Sequence, residues 1–273
     1  MTKVIEHHIH MYSRTTDDYA RMAAAGIVTV VEPSFWLGSA RRHPATFWDY
    51  FNHMIRFEPT RATAAGIDYY CAISVNPKES EDAVLAEETI AGMEPYLDAP
   101  GVVAIGEVGF NYITANEEKA FRRQLEIAMR RNMLVMIHTP HVNKLKGTIR
   151  IVEILKEMKV PPHLVDIDHN TEETMPVARS FEGCWCGMTV YPTKLSPERV
   201  AKIVQQYGPD RLLVNSSADW DVSWPLGVVM AAAAMAKLGL GEEVVRKMVW
   251  DNPAAWLGQS PKFRLLALII HET

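Results

Sequence analysis

Eight short runs of apolar, largely β-branched residues recur along the chain with helix-like stretches between them, the pattern of βα units building a parallel sheet. They span 4–10, 27–35, 67–76, 102–110, 133–140, 165–170, 184–190 and 212–219. Most are apolar on both faces, as expected of strands with helices on one side and a barrel core on the other. Between them, Thr15 and Thr16 precede Asp17 and Asp18, acids suited to a first helical turn, and Gly26 reads as the stop. Phe121, Leu125, Ala128 and Met129 recur at helical spacing. Ser196 followed by Pro197 predicts an N-cap with proline at the first helical position, and Val200, Ile203, Val204 and Tyr207 form the apolar stripe behind it. Eight alternations in a chain of 273 residues predict an α/β fold of the TIM-barrel, or (β/α)8, type. A doubly wound open sheet is the runner-up, but no glycine fingerprint follows the first run.

The interval 39–66 is longer than one crossover helix needs and predicts two helices or a lid. Beyond Gly258 the tail SPKFRLLALIIHET lies outside the barrel; its apolar stretch must cover something or form an interface, which would make the protein a homo-oligomer. No repeat or linker divides the chain, so residues 1–273 are expected to form one domain. No apolar run approaches the ~18 to 20 residues of a membrane helix and the start has no secretory signal, which predicts a soluble, cytoplasmic protein without a membrane partner. Cys71, Cys184 and Cys186 show neither disulfide-scaffold nor zinc-finger spacing, and the last two are expected in the core.

Functional side chains of such a barrel collect at the C-terminal strand ends. Here several runs end on a metal-ligand type: His8 and His10 after the first, Glu107 in the fourth, His138 after the fifth, His169 after the sixth and Asp219 after the eighth. Side-chain alternation puts His8 and His10 on one face and predicts that His7 points to the other. By the same parity, Asp168 is expected to face a helix rather than the mouth. A carboxylate such as Glu107 inside an apolar run costs several kcal/mol unless paired or metal-bound, so four imidazoles and two carboxylates converging on one rim predict a metal centre.

On these residues the chain resembles the TatD-type metal-dependent hydrolases of the amidohydrolase superfamily. The likeness lies in the H-x-H of the first run, in GEVGFNY followed by FRRQLEIAMRRNMLVMIHT, in Asp219 and in NPAAWLG. It implies that His8, His10 and Asp219 bind one metal, that His138 and His169 bind a second, and that Glu107 bridges both. The cofactors would be two divalent ions, with Zn, Mn, Fe, Co and Ni all suited to imidazole and carboxylate ligands. A metal-bridging hydroxide would then act on a small-molecule ester, amide, lactone or phosphoester, with Asp219 as the catalytic proton carrier. Two departures bear on substrate: the opening reads Glu6-His7-His8-Ile9-His10 rather than acid-Thr-His-x-His, and the eighth run reads NSSAD where the family shows E-T-D.

Around this rim Trp36, Asn111, His141, Tyr191 and Lys194 are the predicted substrate contacts, with Glu32 and Asn76 as further candidates. His43, His53, His163 and His271 read as structural or surface residues. Two other functions stay open: a dinuclear iron or manganese oxygenase, which could use the same ligands, and a TatD-like metal-dependent deoxyribonuclease. The net charge of −5 and the lack of Lys/Arg clusters near the rim count mildly against a nucleic-acid partner.

Overall fold

The computed structural model describes residues 3–265. Eight parallel strands follow one another around the sheet in chain order: β1 (Val4–Glu6), β2 (Ile27–Pro33), β3 (Asp68–Ala72), β4 (Val102–Gly109), β5 (Leu134–His138), β6 (Val165–Asp168), β7 (Trp185–Thr189) and β8 (Leu212–Asn215). Past their ends the first and last strands meet, the Ser217 N–H donating to the His8 carbonyl at 2.8 Å and the His10 N–H to that of Ala218 at 2.9 Å. The architecture is the expected (β/α)8 barrel.

The α-helices are α1 (Thr16–Ala24), α2 (Pro44–Asn52), α3 (Glu58–Ala64), α4 (Ala83–Gly92), α5 (Glu94–Leu97), α6 (Ala115–Arg131), α7 (Lys144–Glu157), α8 (Met175–Arg179), α9 (Pro197–Tyr207), α10 (Gly227–Lys237), α11 (Glu242–Arg246) and α12 (Asn252–Leu257). The long interval after β2 holds two helices, α2 and α3, joined by a π-turn over His53–Phe57. Ser196 caps α9, its Oγ accepting from the Arg199 N–H at 3.3 Å. α6 opens on a capping box of Thr114 and Glu117, in which each side chain accepts from the other's backbone N–H.

Strand alternation sorts the core into two shells. Val4, Val30, Ile105, Ile137, Ile167 and Val214 face outward into the helices. Ile5, Val31, Val103, Leu134, Met136 and Leu213 fill the barrel, and its floor is closed by Trp256, Leu257 and Phe263. The chain after α12 thus crosses under the barrel, where the Tyr70 hydroxyl donates to the Arg264 carbonyl. The rest of the apolar tail, from 266, and His271 lie outside the described residues. Cys184 and Cys186 are buried in the outer shell, as expected.

Two parity expectations fail, each because the backbone leaves the pleat. Ile9 faces outward like Val4, so His8 and His10 face inward, but Ile5 also faces inward and carries His7 with it. β1 ends at Glu6, and the alternation breaks between His7 and His8, which both enter the barrel. In β6, Ile167 faces out and Asp166 and Asp168 face in; His169 has a left-handed φ of 62°, which also turns its ring inward. Asp168 is therefore a barrel residue rather than a helix partner.

Candidate metal centre

Glu107 is the hub of the barrel mouth. It sits where the β4–β5 pairing skips a residue between Gly106 and Val108, which takes its side chain out of the regular ladder and into the mouth. Its Oε1 lies 3.3 Å from His8 Nε2, 3.2 Å from His138 Nδ1 and 3.1 Å from His169 Nε2. Its Oε2 lies 3.8 Å from His10 Nε2 and accepts from Asn76 Nδ2 at 3.2 Å. Two ligand clusters result, His8–His10–Glu107 and Glu107–His138–His169, all buried and sharing the one carboxylate.

The hydrogen bonds behind these rings fix which nitrogens carry lone pairs. His8 Nδ1 lies 2.6 Å from Asp168 Oδ2, so an ionised Asp168 accepts a hydrogen bond from Nδ1–H and His8 Nε2 is left as a lone pair. Thr189 Oγ1 donates to Asn215 Oδ1 at 2.9 Å, so it accepts from His169 Nδ1 at 2.6 Å and leaves His169 Nε2 bare. Both bare nitrogens face the Glu107 carboxylate, and His8 Nε2 also faces His10 Nε2 at 3.2 Å. Acceptors facing one another at about 3 Å repel unless a cation lies between them. Separations of this size are also the edges of a coordination shell with bonds of about 2.0–2.2 Å. The donor set thus fits divalent metal ions.

Electrostatics point the same way. Burial alone would raise the Glu107 carboxyl, but the surrounding imidazoles of His8, His138 and His169 reverse this and hold it well below its usual range. Burial lowers His10, His138 and His169. An ionised Glu107 beside neutral imidazoles at His10, His138 and His169 is the protonation state in which these side chains ligate a metal.

A cavity of about 570 Å³ opens above the clusters, lined by His10, Glu107, His138 and His169. Asp219 lies on its wall and is not part of either cluster: its Oδ1 accepts from the Tyr191 hydroxyl and the Asp221 N–H, both at 2.9 Å. Trp36, Asn76, His141, Tyr191 and Lys194 line the same cavity. Asn111 does not; it belongs to the loop capping α6, where its N–H donates to Glu117 Oε2. Glu32 is also elsewhere, buried on the outer side of β2 and accepting from the Tyr12 N–H at 2.7 Å and the Tyr69 hydroxyl at 2.8 Å.

Sequence reasoning missed several cavity residues. Phe35 stacks on His10 with ring centroids 3.9 Å apart, and Trp220 packs against both Phe35 and Trp36. Lys78, Lys144 and Arg199 join Lys194 around the mouth, so the expected lack of a basic rim is overturned. These cations come from four separate loops and helix starts, which is why no run of basic residues announced them.

A sequence profile described as TatD related DNase matches residues 5–258. The chain belongs to the TatD family. It is accordingly a metal-dependent hydrolase of the TatD type. An uncharacterized metal-dependent hydrolase of Methanocaldococcus jannaschii is 31% identical over 255 residues, covering 91% of this chain and 97% of that protein. Among solved structures, a TatD-like protein of Archaeoglobus fulgidus matches with a TM-score of 0.75 and 27% identity, over 93% of this chain and 99% of its own. The organophosphorus hydrolase of Deinococcus radiodurans shares the fold, with a TM-score of 0.68 at 18% identity over 94% of this chain and 93% of its own. Membership in this hydrolase family takes the place of the oxygenase reading. Among the described residues no helix is long and apolar enough to cross a membrane.

Proposed function

We propose that this TatD-family protein is a dinuclear metal-dependent phosphoesterase acting on a small anionic substrate. The observation that carries the reading is the pair of buried ligand clusters sharing Glu107 at the floor of a cavity sized for a small molecule. His8 and His10 would hold one ion, His138 and His169 the other, with Glu107 between them. When bound, such ions supply Lewis acidity and a water acidic enough to act as nucleophile near neutral pH.

The chain's own groups do the rest. Lys194 stands 3.3 Å from His169 Nδ1 and 3.4 Å from Ser217 Oγ, a position from which its ammonium can meet a substrate oxygen. Lys78 lies over the Trp36 ring, 4.5 Å from its centroid. Lys144 is tied to the Thr139 hydroxyl and the His169 carbonyl, with burial lowering its ammonium to about 7, and Arg199 is paired with Glu172, so these two add less positive field than their number suggests. Asp219, oriented by Tyr191, would accept a proton from the attacking water and return it to the leaving oxygen. The cationic lining favours a phosphoester over an uncharged lactone or amide.

The test has two parts. Protein purified without added metal is expected to hold about two equivalents of transition metal; fewer than one would overturn the dinuclear reading. With metal present, phosphoesters such as bis(p-nitrophenyl) phosphate should turn over faster than carboxyl esters or lactones, and the reverse order would overturn the choice of substrate. A second reading, metal-dependent cleavage of DNA, draws on the family's description and on the same cations; degradation of oligonucleotides faster than of small phosphoesters would favour it.

A further inference from the structure

Beneath the ligand clusters the barrel carries a buried polar layer that none of the proposed metal ligands accounts for. Asp168 is its centre and is fully buried. Its Oδ2 lies 2.6 Å from His8 Nδ1, and its Oδ1 accepts from the His169 N–H at 2.6 Å. Asn215 Nδ2 sits 2.9 Å from both carboxylate oxygens, while Asn215 Oδ1 is held by the Thr189 hydroxyl. Room for the carboxylate exists because position 187 is glycine: a Cβ there would lie 2.1 Å from Asp168 Oδ1.

We propose that Asp168 is the positioning residue of the metal centre, fixing His8 as the Nδ1–H tautomer with its Nε2 lone pair aimed at the site beside Glu107. The proposal rests on the dinuclear reading above. A contact of 2.6 Å is a charge-assisted hydrogen bond and leaves no space for an ion between the two atoms, so Asp168 acts through His8 rather than as a ligand. The fork of Asn215 holds the carboxylate in place, which fixes the azimuth of the His8 ring as well as its proton. Thr189 performs the matching service for His169 at 2.6 Å, while Asp168 Oδ2 stands 3.5 Å from the same Nδ1, so the anion acts on His8 through a direct hydrogen bond and on His169 only at longer range. An anionic partner raises the basicity of its imidazole, so the ion held by His8 and His10 should depend on Asp168 more than the ion held by His138 and His169.

The experiment is zinc titration of full-length wild type and Asp168→Asn, each first stripped with chelator, together with melting of the metal-free proteins. Asn at 168 preserves shape and removes the charge. The expected result is a dissociation constant raised about 10- to 100-fold for one of the two zinc ions, with the other changed much less. Unchanged zinc affinity at both sites, whatever happens to the melting temperature, would overturn the positioning role. Should Asp168→Asn fail to fold, nitrogen NMR of zinc-loaded wild type labelled at histidine reads the tautomer directly. His8 protonated at Nδ1 is expected, and protonation at Nε2 would overturn the proposal. Wild type that binds less than one zinc would instead overturn the dinuclear reading on which it rests.

Discussion

The mouth and the floor of this barrel are built from the same eight strands and solve opposite problems. At the floor the pairing also skips a residue, beside Ile5 between β1 and β2 and at Val103 between β3 and β4, but the inward side chains stay apolar, and Ile5, Val103 and Leu134 meet the Trp256, Leu257 and Phe263 plug. Apolar side chains there need only shape and volume to be satisfied. At the mouth the strands stop or slip: β1 ends before His7, β4 shifts at Glu107, and His169 and Ser217 take left-handed φ values of 62° and 44°. Each irregularity turns a polar side chain inward that a regular strand would have turned away. Buried imidazoles and carboxylates are costly without partners, so the rim carries a layered set of hydrogen bonds that the floor does not need. The apolar end holds the fold together, and the end whose irregularities carry polar side chains makes the site.

Paired substitutions can break that division. Glu107→Gln removes the shared carboxylate charge; activity should fall by about 10³-fold, the scale of several kcal/mol of lost metal-centred stabilisation, while the metal-free protein keeps its fold. Trp256→Ala does the reverse. Truncating a fully buried tryptophan should cost about 3–5 kcal/mol in urea unfolding, with kcat of the folded fraction little altered. A large stability loss for Glu107→Gln, or a large kcat loss for Trp256→Ala at full folding, would show that the two ends are not separable.

A smaller effect sharpens the boundary between them. Glu32 is buried among helices just outside the mouth, and burial, with the nearby Glu58, pushes its carboxyl up to about 8. The folded state therefore keeps a proton that the unfolded chain releases near pH 4.5, so stability contributed by the protonated group is lost as pH rises from there through about 8. Wild type should lose unfolding free energy over that window, and Glu32→Gln, which cannot ionise, should flatten the slope while leaving hydrolysis largely intact. An identical slope in both proteins would show that Glu32 does not hold the proton.

Much of this was legible in the residues. The eight runs carried the barrel because strand and helix periodicities are local properties of the chain, and His8, His10, Glu107, His138 and His169 stood out as ionisable groups at the ends of apolar strands. What stayed hidden shares one cause. His7 and Asp168 were assigned to the wrong face because parity holds only while the pleat holds, and a single left-handed residue or an early strand end resets it. Lys78, Lys144 and Arg199 gave no signal because their neighbours in space are distant in sequence. Asn111 looked like a rim residue by position and is instead part of a helix cap.

By itself, then, the sequence determined the order of strands and helices, the apolar shells and the identity of the side chains clustered at Glu107, since these follow from pattern and from the cost of burying charge. The tertiary structure decided which nitrogens face Glu107, which carboxylate stands behind His8 and which cations ring the cavity. Those depend on backbone irregularities and on contacts between separate strands, and neither is written in any local stretch of the chain.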